Sequence, residues 1–203
     1  APVGIVNAGK PRAAAAQAME GASLIHVTDV AFCQAGAAAI AAAVSAALVP
    51  EATIDGVLRV AVGAIKPWSG AEMRGLIEQA IALVDETGDY KRFRSAYHTS
   101  FRRPIPCDSR EPVPAALALG KIAHGDPWQA AILAADFGRD ADTIGCMAAA
   151  ICGALSGVSA ENESRLAQLP ADAIERERSL AGRLVEVRHR RLSLEREQLE
   201  RAI

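Results

Sequence analysis

The sequence predicts an all-α fold, and three observations carry that expectation. Forty-four of its 203 residues are alanine, the strongest helix former and small enough to let helices approach closely. Aromatic residues are scarce, with four Phe, two Trp and two Tyr, which suits the filling of a β-sandwich or barrel poorly. Helix start and stop signals recur along the chain. A hydrophobic fraction of 51% over this length supports one buried core. The net charge of -2 leaves no overall field that would hold nucleic acid or an anionic membrane. Any anionic ligand must therefore be held by a local site.

Pro11 suits a first helical turn and opens an alanine-rich helix to about residue 23. Thr28 and Asp29 form the next start signal, followed by a charge-free run over residues 30–49 that Pro50 ends. That run has the length of a bilayer span. Its alanines, Gln34, Gly36 and Ser45 give little insertion energy, however, and its flanks are Asp29 and Glu51 instead of Lys or Arg. It reads as a helix buried on all sides in an α-helical core. Thr53 can cap a third helix to about residue 65, and Ser69-Gly70-Ala71-Glu72 has capping-box spacing for a fourth to about residue 86. Thr87-Gly88-Asp89 then reads as a loop.

Residues 91–103 are the most basic stretch, with Lys91, Arg92, Arg94, Arg102 and Arg103 interleaved with Phe93, Tyr97 and Phe101 and no acid. Pro104 and Pro106 mark a loop. A helix should follow from about residue 113 to 123 with Pro112 and Pro114 at its start, and Asp126-Pro127 opens another to about residue 136. Small residues then dominate a helix over residues 144–155, which must sit very close to its neighbours. From Glu163 onward 17 of 41 residues are charged, with apolar positions at helical spacing, which predicts one long amphipathic helix starting near Pro170. Val185, Leu192 and Leu199 fall seven apart and could reach a partner or a second copy, too short a run for a coiled coil. The expected division is a helical domain over residues 1–160 and a charged helix over 161–203.

Cys33, Cys107, Cys146 and Cys152 form no CxxC pair and no disulfide framework, so a reducing, cytoplasmic setting is expected. Cys146 and Cys152 read as small core fillers, and His98, His124 and His189 as exposed. No signal peptide is legible at the start, although Ala1-Pro2-Val3-Gly4 without Met reads as processed or truncated.

Chemistry concentrates in Gly138-Arg139-Asp140-Ala141-Asp142-Thr143, which sets two carboxylates and a hydroxyl beside a flexible glycine at the start of a small-residue helix. Such hard oxygen donors suit Mg²⁺, which keeps several waters and leaves positions for substrate. The alternative is purely structural: Asp142 caps the helix and Asp140 pairs with Arg139.

The segments around Glu111-Pro112-Val113-Pro114, Gly125-Asp126-Pro127, Ala130 to Ala135 and Gly138 to Ile144 resemble the ADP-ribosylglycohydrolase family. That family carries a Gly-Gly-Asp-x-Asp-Thr loop before a small-residue helix; here Arg139 stands at the second glycine. Ala1-Pro2-Val3-Gly4 is similar to the segment after the family's phosphate-contacting loop, and Leu24-Ile25-His26 to its Leu-Thr-His element. The resemblance covers about residues 1–157.

It implies a compact all-α bundle and a dinuclear Mg²⁺ centre. It also implies hydrolysis of the glycosidic bond between ADP-ribose and an acceptor, either a protein or a small ADP-ribose conjugate. Asp140, Asp142 and Thr143 match the family's metal ligands; His26, Gly138 and Arg139 fall where substrate is bound. Glu111 could support the metals from behind or simply complement a helix N-terminus. The family's Thr-Asp-Asp triplet and a glutamate have no match in this chain. The expectation is that it supplies only part of the site, completed by an absent N-terminal segment or a second chain.

Two rival readings remain: a nucleotide or single-strand binder using residues 91–103, and a non-catalytic interaction protein derived from the same fold.

Overall fold

The structure, a computed structural model, describes residues 1–26 and 30–202. The expected start signal at Thr28 and Asp29 lies outside the described residues. Among those described there are eleven helices and no strand: α1 (Pro2–Val6), α2 (Pro11–Ser23), α3 (Ala31–Ala47), α4 (Ile54–Gly63), α5 (Ala71–Thr87), α6 (Tyr90–Ser100), α7 (Pro112–Ile122), α8 (Pro127–Phe137), α9 (Ala141–Ser156), α10 (Ala160–Leu166) and α11 (Ala171–Arg201). The all-α expectation holds, including the long C-terminal helix. No described helix is long and apolar enough to cross a membrane.

Alanine does here what its size allows. The charge-free run forms α3, with Ala35, Gly36 and all of Ala38 to Ser45 buried, and α1, α2, α4, α5 and α9 all pack on it. α1 comes close at Gly4, where a Cβ would stand 2.7 Å from both the Ala41 carbonyl oxygen and the Val44 Cβ. Buried Ser45 seals this corner, its hydroxyl donating to the Asn7 carbonyl at 2.6 Å and accepting from the Lys10 N–H at 3.2 Å. Such bonds let a polar group sit in the core.

Two apolar clusters flank α7, which is buried from Pro112 to Gly120. One gathers Val44, Leu58, Met73, Ile77 and Leu117 between α3, α4, α5 and α7. The other gathers Phe93, Tyr97, Phe101, Leu119, Phe137 and Ile144 from α6 to α9. The stretch read as a basic strand-binding patch is therefore α6 and its end: Phe93 and Tyr97 are fully buried and Phe101 nearly so. Tyr97 stacks on Phe101 at 4.1 Å between ring centroids and meets Phe137 edge-on at 5.3 Å. The period of four that interleaves aromatic and basic residues separates them onto opposite faces, so no ring is free to stack on a base.

Other expectations are corrected by capping. Thr53 and Asp126 cap α4 and α8 as expected, accepting from Gly56 and Gln129 N–H groups. The capping box at residues 69–72 does not form; Gly70 is the N-cap and makes no side-chain cap bond. Glu72 instead accepts from Arg110 at 2.9 Å. The C-terminal region is two helices, with Ser159 capping the short α10. α11 packs chiefly on α1, and it is also tied to α2, where Glu195 pairs with the N-cap residue Lys10 and Arg191 donates to Gln17 at 3.0 Å.

Candidate functional site

A cleft of about 540 Å³ opens between the C-terminal end of α2, the first half of α3, the segment after α6 and the start of α9. His26, Cys33, Cys107, Ser109, Asp140 and Thr143 supply its polar lining, and Ile25, Ile40, Val113 and Met147 part of its apolar wall. Three residues singled out in sequence thus meet in one cavity: His26 from the end of α2, and Asp140 and Thr143 from the start of α9. Asp142 is exposed one residue further round the helix and Gly138 is partly buried. No Lys or Arg is among the lining residues. With Asp140 on its wall and neither Lys nor Arg there, the cleft is more receptive to a cation than to a bare diphosphate.

The approach to α9 is built by backbone geometry. Gly138 adopts φ +78°, ψ -158°, a region open in practice to glycine alone. Arg139 follows at φ +61°, which costs a residue bearing a Cβ roughly 1 kcal/mol. Asp140 is the N-cap of α9 but makes no side-chain cap bond, and Asp142 lies within the first turn. The capping alternative is thus overturned for Asp142, and Asp140, which does hold the N-cap position, makes no cap bond there. Its second half fails as well, because Arg139 is paired with Glu111 and not with Asp140.

Glu111 is the N-cap residue of α7 but makes no side-chain cap bond; its carboxylate is the buried half of an ion pair. Its side chain is 1% exposed, and both carboxylate oxygens are taken: Arg139 Nε donates to Oε1 at 2.6 Å, Arg139 Nη2 to Oε2 at 2.9 Å and the Arg103 N–H to Oε2 at 2.8 Å. Burial works to raise the pKa of this carboxyl, but the Arg139 guanidinium and the Arg103 N–H outweigh it and hold the group below the usual glutamate range. Arg139 also donates to the Arg103 carbonyl at 2.6 Å. Its guanidinium is therefore committed to this pair.

From the other side, His98 Nε2–H donates to the Phe137 carbonyl at 3.0 Å, and Arg94 Nε reaches the same oxygen at 3.3 Å. His98, read as exposed, is partly buried against the Phe137 ring at 4.5 Å. Sequence reasoning missed His98 and the Glu111–Arg139 pair because their partners lie 39 and 28 residues away. The replacement of a glycine by Arg139 was the one available signal for the pair. The four cysteines are free; Cys152 is buried, whereas Cys146, expected in the core, is exposed.

Asp140, Thr143 and Asp142 offer hard oxygens that fit part of one octahedral shell. Among the described residues no group of three or more His, Cys, Asp or Glu side chains gathers as a metal site, so these residues do not assemble a two-ion centre.

Fold and cleft together define a class: an all-α domain whose ligand cavity ends on an Asp-x-Asp-Thr helix start. The chain belongs to the ADP-ribosylglycohydrolase family, whose sequence model matches residues 1–193. The match runs well into α11, further than the segment recognised by motif alone. The chain is also similar to an uncharacterized Escherichia coli (strain K12) protein, YegU, at 52% identity over 61 residues, 30% of this chain and 18% of that protein's length. The aligned part is thus far less than two thirds of the relative. No solved structure matches.

Proposed function

We propose that this chain contributes the Asp140, Asp142 and Thr143 portion of a magnesium-dependent glycohydrolase that cleaves the bond between ADP-ribose and a protein or small-molecule acceptor in the cytoplasm. The observation that carries the reading is the convergence of Asp140, Thr143 and His26 on one cleft in a chain of this family. Asp140 and Thr143 would hold the ion from inside the cleft and Asp142 from its edge. Bound there, Mg²⁺ would supply positive charge toward the diphosphate and a more acidic water. His26 and Ser109 would orient ribose or phosphate oxygens by hydrogen bonds, and Ile25, Ile40, Val113 and Met147 would exclude water from the apolar parts of the ligand. Gly138 keeps its role through backbone shape, and Arg139 acts on the loop instead of on substrate.

A second reading is favoured by one observation, the absence of a three-residue metal cluster among the described residues. On that reading the chain binds ADP-ribose without turnover. One experiment separates the two: the chain, completed by an N-terminal segment that carries the family's Thr-Asp-Asp triplet, is mixed with an ADP-ribosylated peptide and Mg²⁺, and free ADP-ribose is quantified alongside its binding. Release that is lost in Asp140→Ala supports the hydrolase. Binding without release supports the second reading, and neither binding nor release refutes both.

A further inference from the structure

The loop carrying Asp140 is held by a side-chain pair in addition to the Ile144 N–H bond to the Asp140 carbonyl at 3.0 Å. Arg139 occupies a left-handed conformation and sends its guanidinium to Glu111, which is almost fully enclosed. Through that pair both main-chain groups of Arg103 are captured: its carbonyl accepts from Arg139 and its N–H donates to Glu111. The Tyr97 hydroxyl donates to the Glu111 carbonyl at 2.7 Å, tying the same point to the aromatic cluster. Segment 103–111 brings Cys107 and Ser109 into the cleft, and loop 138–143 brings Asp140 and Thr143. One ion pair therefore joins two stretches of the cleft lining that are distant in sequence.

Resting on the reading of Asp140 and Thr143 as cation ligands, we propose that Glu111 and Arg139 are a positioning pair. They fix loop 138–143 against segment 103–111 and so hold Asp140 and Thr143 ready for a divalent ion. Neither touches the ion or the substrate. The planar guanidinium fork suits this task, because it spans both Glu111 oxygens and a carbonyl at once, which a lysine ammonium cannot. His98 and Arg94 act as a lesser tie on the other side of Gly138, through the Phe137 carbonyl.

Two variants of the full chain test the pair. Arg139→Gly removes the guanidinium and accepts the left-handed backbone but adds flexibility of its own, so the tie is credited only where Glu111→Gln, which leaves that backbone alone, shows the same change. Glu111→Gln keeps the volume and removes the charge. Amide hydrogen exchange is followed across residues 138–143, and Mn²⁺ is titrated calorimetrically as the probe ion. The expected result is exchange about tenfold faster in that loop, unchanged exchange in α3, and an Mn²⁺ dissociation constant raised about tenfold, as for other outer partners of metal ligands.

Unchanged loop exchange in Arg139→Gly overturns the pair as a tie, whatever the metal result. Faster exchange with an unaltered Mn²⁺ constant overturns its role in orienting the ligands. If the unmodified chain takes up no Mn²⁺, the cation reading of the site fails, and the exchange measurement alone decides the tie. Should either variant lose its helical circular dichroism, Arg139→Lys takes its place. That variant keeps the charge without the span, so intermediate exchange supports the pair and unmodified-chain exchange overturns it.

Discussion

Arg139 and Glu111, 28 residues apart in sequence, meet through two parallel hydrogen bonds of 2.6 and 2.9 Å beside a carboxyl that is 1% exposed. Breaking one partner of a buried pair leaves the other charge enclosed and uncompensated. Glu111→Gln should therefore lower the unfolding free energy at neutral pH by about 3 kcal/mol, measured by urea denaturation. A loss below about 0.5 kcal/mol would show that the pair contributes nothing.

The same carboxyl sets a pH dependence. Its pKa in the folded chain lies below the ordinary value, so the unfolded state binds the proton more readily and the stabilisation is fully present above the usual glutamate range of about 4.3. It is lost as pH falls through the lower folded value. The stability gap between the unmodified chain and Glu111→Gln should narrow on acidification below about pH 4. Urea midpoints collected from pH 7 downward check this, and a gap that widens toward acid would contradict it.

Much of this scaffold was legible because its elements are marked locally. Pro11, Thr53, Pro112 and Asp126 each stand where a helix starts, and the absence of charge between Val30 and Val49 was enough to predict a central buried helix. The amphipathic tail was equally plain from its spacing. What escaped were features decided by distant partners. Glu72 had capping-box spacing but found Arg110, and Cys146 was placed in the core by its small neighbours, although its turn of α9 faces outward. At the site, the residue types of Asp140, Asp142 and Thr143 were sufficient to suggest hard-ion chemistry. That His26, just past α2, shares a cleft with Asp140 and Thr143, and that Arg139 is taken by Glu111, depends on how distant elements pack, which no local pattern encodes.

Close helix approach makes a further prediction. A methyl group on residue 4 would meet the Ala41 carbonyl oxygen and Val44 Cβ at 2.7 Å, and neither is the end of a flexible side chain. Gly4→Ala should cost about 1–3 kcal/mol as overpacking, seen as a lowered melting temperature, despite alanine's higher helix propensity. An unchanged or raised melting temperature would mean that α1 does not cross α3 at Gly4.

The thiols should react in order of exposure. Cys107 and Cys146 are exposed, Cys33 is half-buried and Cys152 is enclosed, with burial and then Asp126 pushing its thiol up to about 12. Labelling with a thiol-specific reagent should give two fast sites, one slower site and one that reacts only after denaturation. Rapid reaction of Cys152 in the folded chain would contradict its place in the cluster around Leu119 and Phe137.

Because Phe93, Tyr97 and Phe101 are turned into the core, a fluorescent single-stranded oligonucleotide should show no saturable binding to the chain at physiological salt. Tight binding lost on replacing Arg92 and Arg102 would reinstate the strand-binding reading that the structure disfavours.

Uptake of a divalent ion at the start of α9 is the property on which the proposed chemistry depends. Isothermal titration of Mg²⁺ into the full chain, run beside Asp140→Ala and Asp142→Ala, measures this directly. Weak saturable uptake of about one ion is expected, as befits a partial ligand set, abolished by Asp140→Ala and diminished by Asp142→Ala. No uptake by the unmodified chain, or uptake indifferent to Asp140, would contradict the account.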